Sequence, residues 1–250
     1  MKLLCSTPLT EGSVLTLTEP LELLLIAAPI AMANGRIICV DGQPGCGKTV
    51  SLDVFANNLT RPVVTLSLSG NLTDKQVIEH VYEAIQGGST LRLSRDNMVS
   101  SLRQRLVGSE LVLMVDEAQK ASLKGLDLVR TLHDDPRTSF GLILSGVNMG
   151  RLLAKEEELE SRVGLLVPFV RLTGDELVPT VTAAYPLLAS LEGWLLRETD
   201  RLYCHGRLRE WAEVYEWVRS KTNNGAREPV RRDVENALRL LTAQQMVLRP

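Results

Sequence analysis

Eight consecutive residues, Gly42-Gln43-Pro44-Gly45-Cys46-Gly47-Lys48-Thr49, follow the pattern G-x-x-x-x-G-K-[ST]. The spacing has a chemical reason. Glycines let the backbone wrap a phosphate without Cβ clashes. The loop N–H groups and the N-terminus of a following helix attract the anion. Lys48 can reach the β and γ phosphates of a nucleoside triphosphate, and Thr49 can ligate Mg²⁺. The pattern implies ATP with Mg²⁺, with Val50 completing the nucleotide-contacting set. Cys46 reads as a tolerated small residue whose oxidation should block nucleotide.

A second chemical signal lies downstream. Leu111 to Val115 is apolar and runs into Asp116-Glu117. An acidic pair after a strand is, by itself, a solvated loop. With a phosphate loop upstream it has a use. Asp116 would sit near the metal, often through water, and Glu117 would orient and activate an attacking water.

These residues need elements to hold them. Arg36 to Val40 reads as a buried strand entering the loop, and Thr49 to Leu59 as the helix leaving it. Further strands are predicted at Pro62 to Leu68, Leu111 to Val115, Phe140 to Leu144 and Leu165 to Val170. Helices are predicted from Thr73, an N-cap, to the Gly87-Gly88-Ser89 break, and from Ser122 to Leu132. Strands without alternation, separated by helices, imply a parallel sheet covered on both faces. One strand falls between the two motif-bearing strands, which favours an ATPase sheet over a simple kinase fold.

The sheet should end near Leu172. Beyond it, Asp175 to Leu191, Trp194 to Arg219 and Glu228 to Val247 read as helices, with Pro229 suited to a first turn. The expected organisation is an α/β nucleotide-binding domain over 1–172, opened by a short segment at 1–34, and a helical domain over 173–250.

The chain has 250 residues, 44% of them hydrophobic and 23% charged, which suits a soluble globular protein. A net charge of −2 means that any nucleic-acid contact must use a local patch. Cys5, Cys39, Cys46 and Cys204 form no metal-ligand spacing, so neither a metal cluster nor a disulfide framework is expected, and a reduced, cytoplasmic setting fits. Leu21 to Ala33 is too short to span a bilayer, contains Pro29 and lacks a basic flank. It reads as a buried helix packed on the first strand, with no membrane partner and no signal peptide.

At Asp116-Glu117-Ala118-Gln119 the chain resembles the AAA+ ATPases. The resemblance implies a P-loop fold with a five-stranded parallel sheet and a small helical lid. Phe140 to Asn148 resembles the family's next strand with a polar sensor at its end; Asn148 is the first choice for that sensor and Ser145 the second. Glu158-Leu159-Glu160-Ser161-Arg162 resembles the arginine-finger segment, in which Arg162 would reach the γ-phosphate held by a neighbouring subunit. The alternative is that Arg162 pairs with Glu156, Glu157, Glu158 or Glu160. Among Arg227, Arg231 and Arg232, which open the last helix, one would be the lid's sensor; Arg227 is counted with the nucleotide-binding residues.

Within AAA+ the chain is most similar to the compact ATPases of transposition systems, such as the phage Mu B protein and the TniB and TnsC-like regulators. That resemblance implies subunits that form a ring or helical filament on double-stranded DNA, recruit a transposase, with or without a targeting adaptor, and disassemble on hydrolysis. The DNA contacts would be sequence-independent and salt-sensitive. Candidates are Arg92, Arg95, Arg103, Arg105, Lys120 and Lys124. The competing expectations are a loader or remodelling ATPase that acts on a protein partner without DNA, and a nucleotide-gated scaffold with negligible hydrolysis.

Overall fold

The computed structural model describes residues 9–87 and 93–248, with side chains described up to residue 243. Five strands form one sheet: β1 (Ile37–Gly42), β2 (Val63–Ser67), β3 (Val112–Asp116), β4 (Gly141–Gly146) and β5 (Val163–Phe169). Their order is β2-β3-β4-β1-β5, and every pairing is parallel. The expected parallel five-stranded sheet is therefore present. β3 and β4 are buried almost end to end, which is why neither alternates in sequence.

Eleven α-helices are described. α1 (Glu19–Ala33) precedes the sheet and α2 (Lys48–Asn57) follows the glycine loop. Between strands come α3 (Asp74–Gln86), α4 (Arg95–Leu106), α5 (Leu123–Asp134), α6 (Met149–Leu153) and α7 (Glu157–Arg162). After the sheet come α8 (Leu177–Ala184), α9 (Gly193–Thr199), α10 (Leu208–Lys221) and α11 (Arg231–Leu248).

The chain forms two compact units. One comprises Glu19–Gln43 and Ser51–Phe169. Its larger core joins β3 and β4 to α3, α4 and α5, with Leu113, Leu142, Ile78, Leu102 and Leu126 all essentially inaccessible. α3 starts on a complete capping box: Gln76 N–H donates to Thr73 Oγ1, and Thr73 N–H donates to Gln76 Oε1 at 2.9 Å. It ends at Gly87, whose φ of 69° satisfies the left-handed cap. α1 packs on β1 and β5 through Leu21, Leu24, Ala28 and Met32, yet Ile26 and Ile30 are each 62% exposed, so the helix is half-buried and not enclosed as its composition suggested.

The other unit comprises Val170–Pro250, the N-terminal residues up to Thr18, and the strip Pro44–Val50. The sequence reading placed its boundary at 172/173 and did not assign the strip to it. Its core surrounds the fully buried Trp211, whose indole N–H donates to Asp200 Oδ1 at 3.1 Å. Two long predicted helices are broken here. Asp175 to Leu191 stops at Tyr185, before Pro186. Trp194 to Arg219 is interrupted by a π turn (Asp200–Cys204) and by His205 and Gly206, both at positive φ. Asp200 Oδ1 also accepts the Gly206 N–H at 2.8 Å, so one half-buried carboxylate fixes the corner that opens α10.

Among the described residues no helix is long and apolar enough to cross a membrane.

Candidate nucleotide site

β1 delivers the glycine loop. Gly42 ends the strand opposite Phe169 of β5, and a Cβ there would collide with the Phe169 carbonyl. Gly45 and Gly47 adopt φ of 86° and 92°, which only glycine takes without strain. Lys48 opens α2 and is 7% exposed. Two left-handed glycines running into a helix N-terminus form a cradle of backbone N–H groups, and the buried lysine adds a fixed positive charge beside it. These features fit the triphosphate that the motif implies.

Within its own unit the loop lies against the start of α10. The Arg209 N–H donates to the Gly45 carbonyl at 3.2 Å. A side chain at Gly45 would meet Arg207, Arg209 and Glu210. Arg207 pairs with Glu210 at 2.8 Å. Burial pushes the Cys46 thiol up, opposed by Lys48, Arg171 and Arg207. Arg227 is elsewhere in this unit: it forks onto both oxygens of Asp233 at 2.7 Å and holds the Asp233 carboxyl below its usual range. Sequence reasoning missed Arg207 and Arg209 because it ran one helix through them. The available signal was Gly206 inside the predicted helix; in the structure it takes φ of 74°, and a Cβ there would collide with Leu172.

The acidic corner belongs to the sheet unit. The carboxyl ends of β3, β4 and β1 lie side by side, so the strand ending in Asp116 is about 10 Å from the one ending in Gly42. Asp116 Oδ1 accepts two hydrogen bonds at 2.9 Å, from its neighbour Glu117 N–H and from Ser145 Oγ on β4. Ser145 is 1% exposed. Of the two sensor candidates, the structure joins Ser145 to the acidic pair. Asn148 lies beyond the strand, at φ 55° where α6 begins, with no side-chain cap bond. Asp41 Oδ2 accepts the Gly150 N–H at 3.1 Å and ties that corner back to β1.

Glu117 also has positive φ, 56°, a conformation that costs a non-glycine residue about 1 kcal/mol. Its Oε2 receives Gln119 Nε2 at 3.0 Å and lies 3.1 Å from Lys120 Nζ. In the sequence Gln119 stands out only as the last residue of the Asp116-Glu117-Ala118-Gln119 segment, with no role of its own.

Arg162 is at the other end of the sheet. It closes α7 immediately before Val163, which pairs with Ile37 at the start of β1. Its Nε donates to Asp134 Oδ2 at 2.9 Å; the partner is on α5 and is none of the four glutamates considered from sequence. Asp134 also receives Arg130 at 2.7 Å, and both arginines hold its carboxyl below the usual range against the effect of burial. Arg162 lines a polar groove of about 660 Å³ with Arg36, Arg61, His133 and Asp134.

The candidate DNA contacts separate. Lys120, Lys124 and Arg95 lie toward the carboxyl edge of the sheet: Lys120 faces Glu117, Lys124 is exposed on the first turn of α5, and Arg95 pairs with Asp74 at 2.9 Å. Arg103 and Arg105 are in the last turn of α4, toward the opposite edge, and Arg103 is held by Asp135 at 2.6 Å. Arg92 lies outside the described residues. Among the described residues no cluster of three His, Cys, Asp or Glu side chains could hold a metal by itself.

The sheet order, the glycine loop after β1 and the acidic end of β3 are those of the P-loop AAA+ fold. A family model described as an AAA domain matches residues 32–152. No curated protein is similar in sequence at a significant level. Among solved structures, the Aeropyrum pernix ORC2 protein in its ADPNP and ADP complexes superposes with a TM-score of 0.68 at 14% identity, covering 93% of this chain and 69% of that one. The Thermotoga maritima RuvB Holliday junction branch migration motor gives 0.61 at 17% identity, covering 93% and 72%. The Aeropyrum pernix ORC1 protein in complex with DNA gives 0.63 at 16%, covering 89% and 65%. At such identities the likeness is one of fold.

Proposed function

We propose that this chain is an ATP hydrolase that assembles with copies of itself, binds double-stranded DNA without sequence preference in its ATP state, and regulates DNA transposition by recruiting and targeting a transposase. Hydrolysis would take the assembly apart. Lys48 and the loop N–H groups would hold the phosphates, Thr49 and Asp116 would hold Mg²⁺, and Ser145 would keep the Asp116 carboxylate aimed. Glu117 takes the proton of the attacking water as its oxygen bonds the γ-phosphorus and ADP leaves. Bound Mg²⁺ supplies neutralisation of phosphate charge. Arg209, above the loop, takes the lid-sensor role in preference to Arg227.

The position of Arg162 carries the assembly reading. Five residues of β1 separate its level from that of Gly42, about 16 Å. An arginine side chain anchored to Asp134 there has no path to a phosphate at its own loop. It can serve one held by a neighbour. The DNA reading is supported by the fold likeness to proteins whose names carry DNA or a Holliday junction. The transposition reading is supported by the Asp116-Glu117-Ala118-Gln119 and Glu160-Ser161-Arg162 segments.

Mixing two inactive variants tests assembly. Lys48→Ala lacks nucleotide and Arg162→Ala lacks the finger, so a mixture forms some interfaces with both groups intact and should regain turnover. No recovery at any ratio would remove the trans role of Arg162. A gel shift with random duplex DNA tests the rest: absence of ATP-dependent binding at low salt would leave a protein-directed loader as the better reading.

A further inference from the structure

Glu117 is held from two sides. Gln119 bridges the corner: its Nε2 donates to Glu117 Oε2, and its Oε1 accepts the Val147 N–H at 3.1 Å, just past β4. The bridge has a space reserved for it, since a Cβ on Gly146 would collide with Gln119 Oε1. The same Glu117 oxygen faces the Lys120 ammonium, and both side chains are about one-third exposed.

The backbone beneath this pair is fixed. Lys120 N–H donates to the Glu117 carbonyl, Leu72 N–H donates to the Lys120 carbonyl, and Ser122 N–H donates to the Leu72 carbonyl, each at 2.9 Å. The Lys120 side chain can therefore swing while the corner stays put. It would swing toward an edge suited to polyanions. Lys124 is one turn further on, and the capped N-termini of α3 and α5 meet there through the Leu72–Ala121 bridge.

We propose that Gln119 and Lys120 are positioning residues for Glu117, and that Lys120 makes hydrolysis depend on nucleic acid. Without a polyanion the ammonium neutralises the Glu117 carboxylate and turns it from the attacking water. A phosphate of the duplex backbone takes the ammonium, and Glu117 keeps the Gln119 hydrogen bond that aims it. The inference rests on the reading of Glu117 as the base of an ATP hydrolase.

The test is MgATP turnover by the full chain, with and without random-sequence duplex DNA at low salt, with ATP binding measured separately. Lys120→Ala should raise DNA-free turnover about two- to fivefold, the factor that a partly exposed ion pair is worth, and flatten the response to DNA. Lys120→Arg, which keeps the charge, should restore the wild-type pattern. Gln119→Ala should lower turnover in both conditions while ATP still binds. The proposal is overturned if folded Lys120→Ala turns over no faster than wild type without DNA, or responds to DNA as wild type does. It is also overturned if wild type hydrolyses ATP indifferently to DNA, or if Gln119→Ala matches wild type. A wild-type chain that hydrolyses nothing in either condition would instead refute the underlying ATPase reading.

Discussion

Replacing Ser145 with alanine removes one hydroxyl from the carboxyl edge of the sheet and almost nothing else. The side chain is 1% exposed, and its Oγ donates to Asp116 Oδ1 at 2.9 Å. A hydrogen bond to a charged group contributes about 1.5–3 kcal/mol. Asp116 is partly exposed, so water recovers some of this, and about 1–2 kcal/mol remains to be lost. If Asp116 holds Mg²⁺, that loss falls on the metal–triphosphate complex and on its transition state, a reduction of about 5–30-fold in kcat/KM. Global stability should change little, because alanine fills most of the space and leaves no unpaired donor. The assay is steady-state ATP turnover of Ser145→Ala beside Asn148→Ala, with denaturant unfolding of both. Near wild-type turnover for the serine variant, together with a large loss for the asparagine variant, would refute the argument that the hydrogen bond identifies the sensor.

Gly42→Ala should lower unfolding free energy by about 2–3 kcal/mol in urea titrations, since its Cβ meets the Phe169 backbone and neither paired strand can yield. Gly70→Ala, with open space but φ of 73°, should cost about 1 kcal/mol. Burial lowers the His133 pKa from 6.5 against the pull of Asp134, so below pH 6.5 the unfolded chain binds a proton that the folded chain resists, and stability falls as the pH drops. Comparing His133→Gln with wild type between pH 7.5 and 5.5 should show that slope reduced by up to about 1.4 kcal/mol per pH unit; parallel curves would place the titration elsewhere. Arg209→Ala should weaken ATP binding or turnover about tenfold, by a lost charge-assisted contact, and Arg227→Ala should instead lower thermal stability through Asp233.

What could be read from the sequence was whatever local chemistry compels. The glycine loop is legible because its conformation admits few residue types. The buried strands are legible because parallel sheets enclose both faces, and the Thr73 cap because its hydrogen bonds close within three residues. The misses share a different cause. α4 buries only Met98, Leu102 and Leu106 fully, with arginines and serines between, and its periodicity is faint. The break before α10 depends on Asp200 reaching Gly206 and Trp211, a contact that no periodicity reports. The partner of Arg162 is 28 residues away on another helix, whereas the sequence offered nearer glutamates.

The residues just after β3 and near the end of β4 extend the same point. Glu117 and Asn148 both take left-handed backbone, which neither needs for chain reversal alone, since glycine would do it at lower cost. Each is kept by the hydrogen bonds around it: Asp116 Oδ1 fixes the Glu117 N–H, and Asp41 fixes Gly150 two residues past Asn148. The carboxylates that hold these corners end the strands β3 and, one residue earlier, β1, and the same edge presents Gly42. Local strain, acidic anchors and Gly42 thus converge on one edge of the sheet, while Arg162 is held at the other. On the proposed reading of Arg162, the length of a strand between it and Gly42 is the reason to look for its phosphate on a neighbouring copy.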